Sequence, residues 1–297
     1  MPHRQFALLA VLLLLPAMAV AQPAEKPARV LRLGGVAYSP DAVSVWKGIR
    51  VYLARHNLPI EFVLYSNYDG LIDGLRDGHV DIAWNSPLAH ARFHLRQGDS
   101  QVLAMRDVDR GFRSKLIVHK DAGISTLADL QGKTLILGSR DSAEATVLPT
   151  YYFKKQGVDF GKLRVLSLHD EVDERGTPCC SENHILTALQ KGRGQAGIVS
   201  EVLWKRLTSE RPTEVSQFRE IWTSPAFSHC VFTARKDFDR KIGARFAELM
   251  LAMDGKDAVT AEILRLEQCQ KWVPGTHEGF EDLLQALREQ HKQTPQK

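Results

Sequence analysis

The chain has 297 residues, 39 basic and 35 acidic side chains, a formal charge of +4 and 44% hydrophobic residues. Its charges are interleaved rather than gathered in a stripe, which excludes a nucleic-acid surface. The length suffices for two domains of about 100–150 residues, each with its own core.

At the N-terminus, His3 and Arg4 precede an apolar run from Phe6 to Leu15, and Ala19-Val20-Ala21 follows. A basic start, a short apolar centre and an Ala-x-Ala end describe a secretory signal peptide cut after Ala21. The run falls short of the roughly 20 residues of a spanning helix, and no cysteine follows it to carry a lipid. Cleavage would leave 276 residues (297 minus 21) with a charge of +3 (38 basic minus 35 acidic), in the periplasm.

Residues 22–28 form a Pro-rich leader. "VLRLGGVAYSPDAVSVWKGIRVYLARHN" then reads as strand, turn and helix. Val45, Ile49, Tyr52 and Leu53 recur at helical spacing, and Ser39-Pro40 supplies an N-cap and a proline at the first helical position. The cycle returns in "IEFVLYS" with "YDGLIDGLRDG", and in "HVDIAWN" with "PLAHARFHLRQG". Such alternation predicts α/β architecture around parallel sheets.

Two strand-like runs follow, "QVLAMRDV" and "RSKLIVHK". Thr126 and Asp129 have the spacing of a capping box, and "KTLILG" is a buried strand running into Ser139-Arg140-Asp141-Ser142 before another helix. "KLRVLSL", a helix over 185–189, "QAGIVS" and a helix over 202–207 continue the alternation. "SHCVFTAR" is the last strand, and helices follow. The expected organisation is two three-layer α/β lobes, one from residues 29–112 with 227–290, the other from 113–226, and a flexible tail over 291–297.

Four strand-to-helix junctions share a property. They read Ala37-Tyr38-Ser39-Pro40, Ser66-Asn67-Tyr68-Asp69, Trp84-Asn85-Ser86-Pro87 and Ser139-Arg140-Asp141-Ser142. Each sets hydroxyl, amide or charged groups beside unpaired backbone N–H groups at the positive end of a helix, where anions bind. Taken singly, each is an ordinary N-cap. Several converging at the carboxyl ends of strands describe a ligand cradle.

His90 and His94 stand four apart on one helix, a metal-ligand spacing, but no third ligand lies nearby, so a solvated helix face is expected. The four cysteines, Cys179, Cys180, Cys230 and Cys269, allow three pairings, and a bridge between adjacent Cys179 and Cys180 would strain the peptide. Cys179, Cys180 and His184 could meet His229-Cys230 as a soft-metal cluster. His229 is better placed as a donor to an oxyanion. No G-x-S-x-G elbow, H-E-x-x-H, P-loop or dinucleotide fingerprint occurs, so neither enzyme activity nor a cofactor is expected.

"YSNYDGLIDGLRDGHVDIAWNSPLAH" and "LIVHKDAGISTLADLQGKTLILGSRDSAEATVLPTYYFKKQGV" together resemble the phosphate/phosphonate-type substrate-binding proteins of bacterial ABC importers, over about residues 31–235. The resemblance implies two α/β lobes joined by two crossing strands, the type II periplasmic binding protein fold, with the ligand closed between them. Tyr68 matches the family's ligand-contacting tyrosine, Asn85 and Ser86 a polar contact, and Ser142 the first residue of its Ser-Thr-Ser loop. Ala143 and Glu144 depart from that loop, losing two hydroxyls and adding a carboxylate. Arg140 could supply positive charge for an oxyanion, and Asp141 or Glu144 could meet an amine.

The implied function is delivery of a small anionic or zwitterionic solute to an inner-membrane ABC permease by hinge closure of a monomer. The expected contacts are Tyr38, Ser39, Tyr68, Asn85, Ser86, Arg140, Asp141, Ser142 and His229. Alternatives are a sensory module for a membrane histidine kinase, and a metal or redox protein using Cys179 and Cys180.

Overall fold

The structure, a computed structural model, describes residues 30–37, 41–168 and 182–293. The signal segment, the Pro-rich leader, Tyr38, Ser39, Cys179, Cys180 and the last four residues lie outside the described residues.

The first lobe is built on β1 (Leu31–Val36), β2 (Ile60–Tyr65), β3 (Ile82–Asn85), β4 (Ser100–Val102) and β11 (Val231–Arg235), in the order β2-β1-β3-β11-β4. β1 pairs in parallel with β2 and β3, while β11 returns antiparallel to β3 and β4. Crossover helices α1 (Ala42–Arg55), α2 (Tyr68–Arg76) and α3 (Pro87–Gln97) cover the sheet. The helical spacing in α1 has its physical outcome here: Val45, Trp46, Ile49, Tyr52 and Leu53 are all buried. A Cβ on Gly35 would stand 2.5 Å from the Trp46 ring. The absent side chain therefore lets the indole lie against the strand. Phe232 of β11 centres an aromatic cluster with Trp46, Trp84, Phe246 and Trp272, at ring separations of 4.6–6.3 Å. Burying such a ring contributes roughly 1.5–3 kcal/mol.

The second lobe carries β6 (Ser114–His119), β7 (Thr134–Leu137), β8 (Arg164–Ser167), β9 (Ala196–Ser200) and β10 (Phe218–Thr223), in the order β10-β6-β9-β7-β8. Its helices are α4 (Leu148–Lys155), α5 (Glu182–Gln190), α6 (Glu201–Glu210) and the short α7 (Pro212–Val215). A wider π turn over residues 143–147 leads into α4. Thr126 and Asp129 do form the capping box, on a single 3₁₀ turn at Leu127–Leu130.

The chain passes between the sheets at residues 107–113 and again at 224–230. There Phe112 and Phe227 exchange both backbone hydrogen bonds, at 2.8 and 2.9 Å, and the His229 N–H donates to the Asp109 carbonyl at 2.8 Å. Two short adjacent connections of this kind are what a hinge requires.

Beyond β11, α8 (Arg240–Leu251) and α9 (Ala258–Leu266) pack on the first lobe, while α10 (Glu281–Gln293) lies against both α3 and α4. Leu283, Ala286 and Leu287 are buried with Leu88 and Ala91 of one lobe and Tyr151 and Tyr152 of the other. The Tyr152 hydroxyl donates to Asp282 at 2.9 Å. α10 therefore bridges the lobes rather than belonging to the first alone.

Two features depart from the periodicity. Residues 101–108, expected as one strand, divide at Leu103: β4 joins β11, whereas β5 (Ala104–Arg106) pairs with β12 (Trp272–Pro274). β10 is an edge strand antiparallel to β6, and its charged Arg219 and Glu220 hide the strand pattern. Among the described residues no helix is long and apolar enough to cross a membrane.

Candidate functional site

At the three described junctions the side chains cap helices. Ser86 Oγ accepts from the Ala89 N–H at 3.2 Å, Ser142 Oγ from Ala145 at 2.9 Å, and Asn67 Oδ1 from Gly70 at 2.8 Å. These are N-caps, each stabilising its helix by about 1 kcal/mol. Tyr68 packs partly against the core beneath α2. Arg140 is exposed. Asp141 accepts from Arg92 of the first lobe at 2.7 Å. Asn85 is different: it is fully buried, and both atoms of its amide lack a protein partner. A buried amide left so costs on the order of 1–3 kcal/mol.

Between the lobes lies a cavity of about 330 Å³. The first lobe and the crossings supply Arg106, Phe112, His229 and Glu267; the second supplies Glu144, Glu182, Ser200 and Arg206. Of the expected contacts, His229 alone among the described residues lines it. At its rim, Arg206 donates to Gln268 at 3.2 Å, closing one lobe on the other.

A charged network organises this cavity. Arg106 grips Asp109 with Nε at 2.6 Å and Nη2 at 2.8 Å, and reaches Glu267 with Nη1 at 3.3 Å. Burial opposes ionisation of Asp109, but the guanidinium outweighs it and holds the carboxyl at about 2. His229 Nδ1 lies 3.1 Å from Asp109, and Nε2 lies 3.5 Å from Glu144. Burial disfavours a charged imidazole, yet Cys230, Asp109 and Glu144 together raise His229 well above its ordinary range. The same contact holds Glu144 below the usual carboxylate range against its burial.

Glu182 stands apart. Its Oε2 accepts from the Ser200 hydroxyl at 2.6 Å, and its buried Oε1 has no partner. Burial first, and the negative charge of Glu144 second, push its carboxyl up to about 7. Among the described residues no basic side chain forms an ion pair with it, so the cavity presents a carboxylate that gains by meeting a cation. The network thus offers fixed positive charge on Arg106, Arg206 and His229 and uncompensated negative charge on Glu182. Sequence reasoning missed Arg106, Glu182, Ser200, Arg206 and Glu267, since their convergence requires residues 106, 182 and 267 to fold together. Glu144 was legible only as a departure from a loop pattern.

The histidines of α3 do not form a solvated face. His90 is buried, with Nδ1 3.0 Å from Thr233 and its ring against Phe280, and burial depresses it to about 3. His277, from the segment before α10, completes a stack with His90 and His94 at 5.4–5.9 Å. Trp46, Trp84, Tyr151 and Tyr152 are core residues.

Comparison with known proteins places the chain in a family. The chain is 19% identical over 246 residues to a probable ABC transporter phosphite-binding protein of Prochlorococcus marinus, covering 80% of each. It is 31% identical over 167 residues to the phosphonates-binding periplasmic protein of Escherichia coli, covering 54% of this chain and 46% of that one. The Prochlorococcus marinus protein solved with methylphosphonate shares the fold, with a TM-score of 0.67 and 19% identity over 89% of this chain and 98% of the other. The family described as the periplasmic substrate-binding protein of phosphonate ABC transporters matches residues 37–280, and the chain belongs to that family.

Proposed function

We propose that this protein captures a small zwitterionic solute, with an oxyanion at one end and an amine at the other, and hands it to an ABC permease. The observation that carries the reading is the partnerless Oε1 of Glu182 in a cavity that also holds fixed positive charge. An ammonium group against Glu182 and Glu144 would relieve the burial cost of the first carboxylate. An oxyanion would face Arg206 and the His229 ring. Asn85, Tyr68, Ser142, Arg140 and Asp141 do not line this cavity and are kept as candidate contacts on the family resemblance alone. Closure of the lobes over the solute would favour the closed form through contacts made to both. The family supports a transport role without catalysis. The leader supports export, with a mature chain beginning at Gln22 and acting as a monomer.

Calorimetry decides the ligand class. An aminoalkylphosphonate should bind more tightly than the alkylphosphonate of equal length, and Glu182→Gln should abolish the difference. Equal binding of the two by the unaltered protein would remove the amine from the proposal.

A further inference from the structure

The face of His229 turned away from the cavity carries a second arrangement. Its Nδ1 has Asp109 Oδ1 at 3.1 Å and Cys230 Sγ at 3.2 Å. The three ligand atoms lie within 4.8 Å of one another, and they are the only such group among the described residues. One proton on Nδ1 can serve only one of these two neighbours. We propose that the three form a hinge site for a borderline divalent metal ion of the zinc type.

The donor set suits such an ion. Imidazole, thiolate and carboxylate bind zinc at about 2.0–2.3 Å, which places ligand atoms roughly 3.3–3.6 Å apart in a tetrahedron. The two separations from Nδ1, 3.1 and 3.2 Å, lie within a few tenths of an ångström of that. Outer partners already hold the ligands: Arg106 grips the buried Asp109 carboxylate, Glu144 lies against Nε2 of the imidazole, and Phe112 stacks on the ring at 4.2 Å. Partners of this kind orient metal ligands. Asp109, Glu144 and Glu267 outnumber Arg106 and the charged His229 by one, and a dication that displaces two protons leaves that balance unchanged. Binding displaces a proton from Nδ1 and one from the thiol, leaving Nε2 as the N–H of the ring.

The placement gives the site a role. Asp109 belongs to the first crossing connection and His229-Cys230 to the second, so one ion ties the two together at the hinge. Neither Asp109 nor Cys230 lines the solute cavity. His229 does line it, so the ion and the solute would meet opposite edges of one imidazole.

The test uses reduced, chelator-treated full-length protein titrated with zinc in a calorimeter and with cobalt(II) in a spectrophotometer. A Cys179→Ser/Cys180→Ser double variant should keep both zinc binding and the sulfur-to-cobalt charge-transfer band. Cys230→Ser in that background should lose the band and weaken zinc by more than about 10-fold, the lower end for loss even of an outer-shell partner. Zinc should also slow alkylation of Cys230, located by mass spectrometry, a readout that needs no variant at that position. Absence of zinc binding by the double variant, a band that survives Cys230→Ser, or alkylation of Cys230 unchanged by zinc would each overturn the site.

Discussion

Arg92 on α3 of the first lobe donates to Asp141 of the second at 2.7 Å, and the same guanidinium lies 3.8 Å from Asp69. The pair crosses the mouth between the lobes, on the face where α10 also bridges them. Its members are partly exposed, at 28% and 47% of their side-chain surface, so the contact contributes about 0.2–1 kcal/mol. Arg92→Ala should therefore weaken solute binding by up to about 5-fold, since about 1.4 kcal/mol is tenfold. Small-angle scattering of the solute-free variant should show a larger radius of gyration. A variant with unchanged compactness and affinity would show that the pair is not a latch.

Glu182 costs the fold something. A buried carboxylate with one oxygen left partnerless is destabilising, so Glu182→Gln should raise the thermal midpoint of the solute-free protein at pH 8. The same change should weaken binding of an amine-bearing solute by roughly 30-fold to several thousand-fold, the equivalent of about 2–5 kcal/mol for one partner of a buried charged pair. Stability that rises while binding collapses is the mark of a residue kept for its ligand.

The pH dependence follows from the same groups. Glu182 titrates near 7 in the folded chain and near 4.5 unfolded, so the folded state binds the extra proton between those values. Stability should fall as pH rises from about 4.5 to 7, by on the order of 3 kcal/mol at most. His229, raised by its partners, extends the loss above pH 6.5. Asp109, lowered from 3.8 to about 2, contributes stability present above pH 3.8 and lost as pH falls toward 2. Denaturant midpoints measured from pH 2 to 9 should therefore peak near pH 4–5. Glu182→Gln should flatten the 4.5–7 segment alone.

Arg106, which the sequence did not single out, and Arg140, which it did, should behave differently. Arg106 sits between Asp109 and Glu267, both buried, and over the Trp84 ring at 5.5 Å. Arg106→Ala strands both carboxylates and should cost about 3–5 kcal/mol of stability. Arg140 is exposed and does not line the cavity, so Arg140→Ala should change solute affinity less than about threefold. Chemical denaturation and calorimetry on the two variants separate a structural arginine from a surface one.

Local pattern by itself determined most of the elements here. The spacing of Val45, Ile49, Tyr52 and Leu53 fixes the buried face of α1, and the alternation of short apolar runs with helices implies α/β sheets in two blocks. Both sheets are mixed rather than parallel, with β11 antiparallel to β3 and β4 and β6 antiparallel to β9 and β10. Caps such as Asn67, Ser86 and Ser142 were legible because they act within three residues. Only the tertiary structure decided where those groups stand, because an N-cap uses one acceptor of the side chain and says nothing of what its remaining donor faces. The cavity charges come from Arg106, Glu144, Glu182, His229 and Glu267, which are scattered over 160 residues and share no local signal. Likewise, His90 looked solvated on its helix until Phe280 and His277 covered it from the far end of the chain. Burial and partnership belong to the assembled fold, and they determine whether a charged residue is surface, strut or ligand contact.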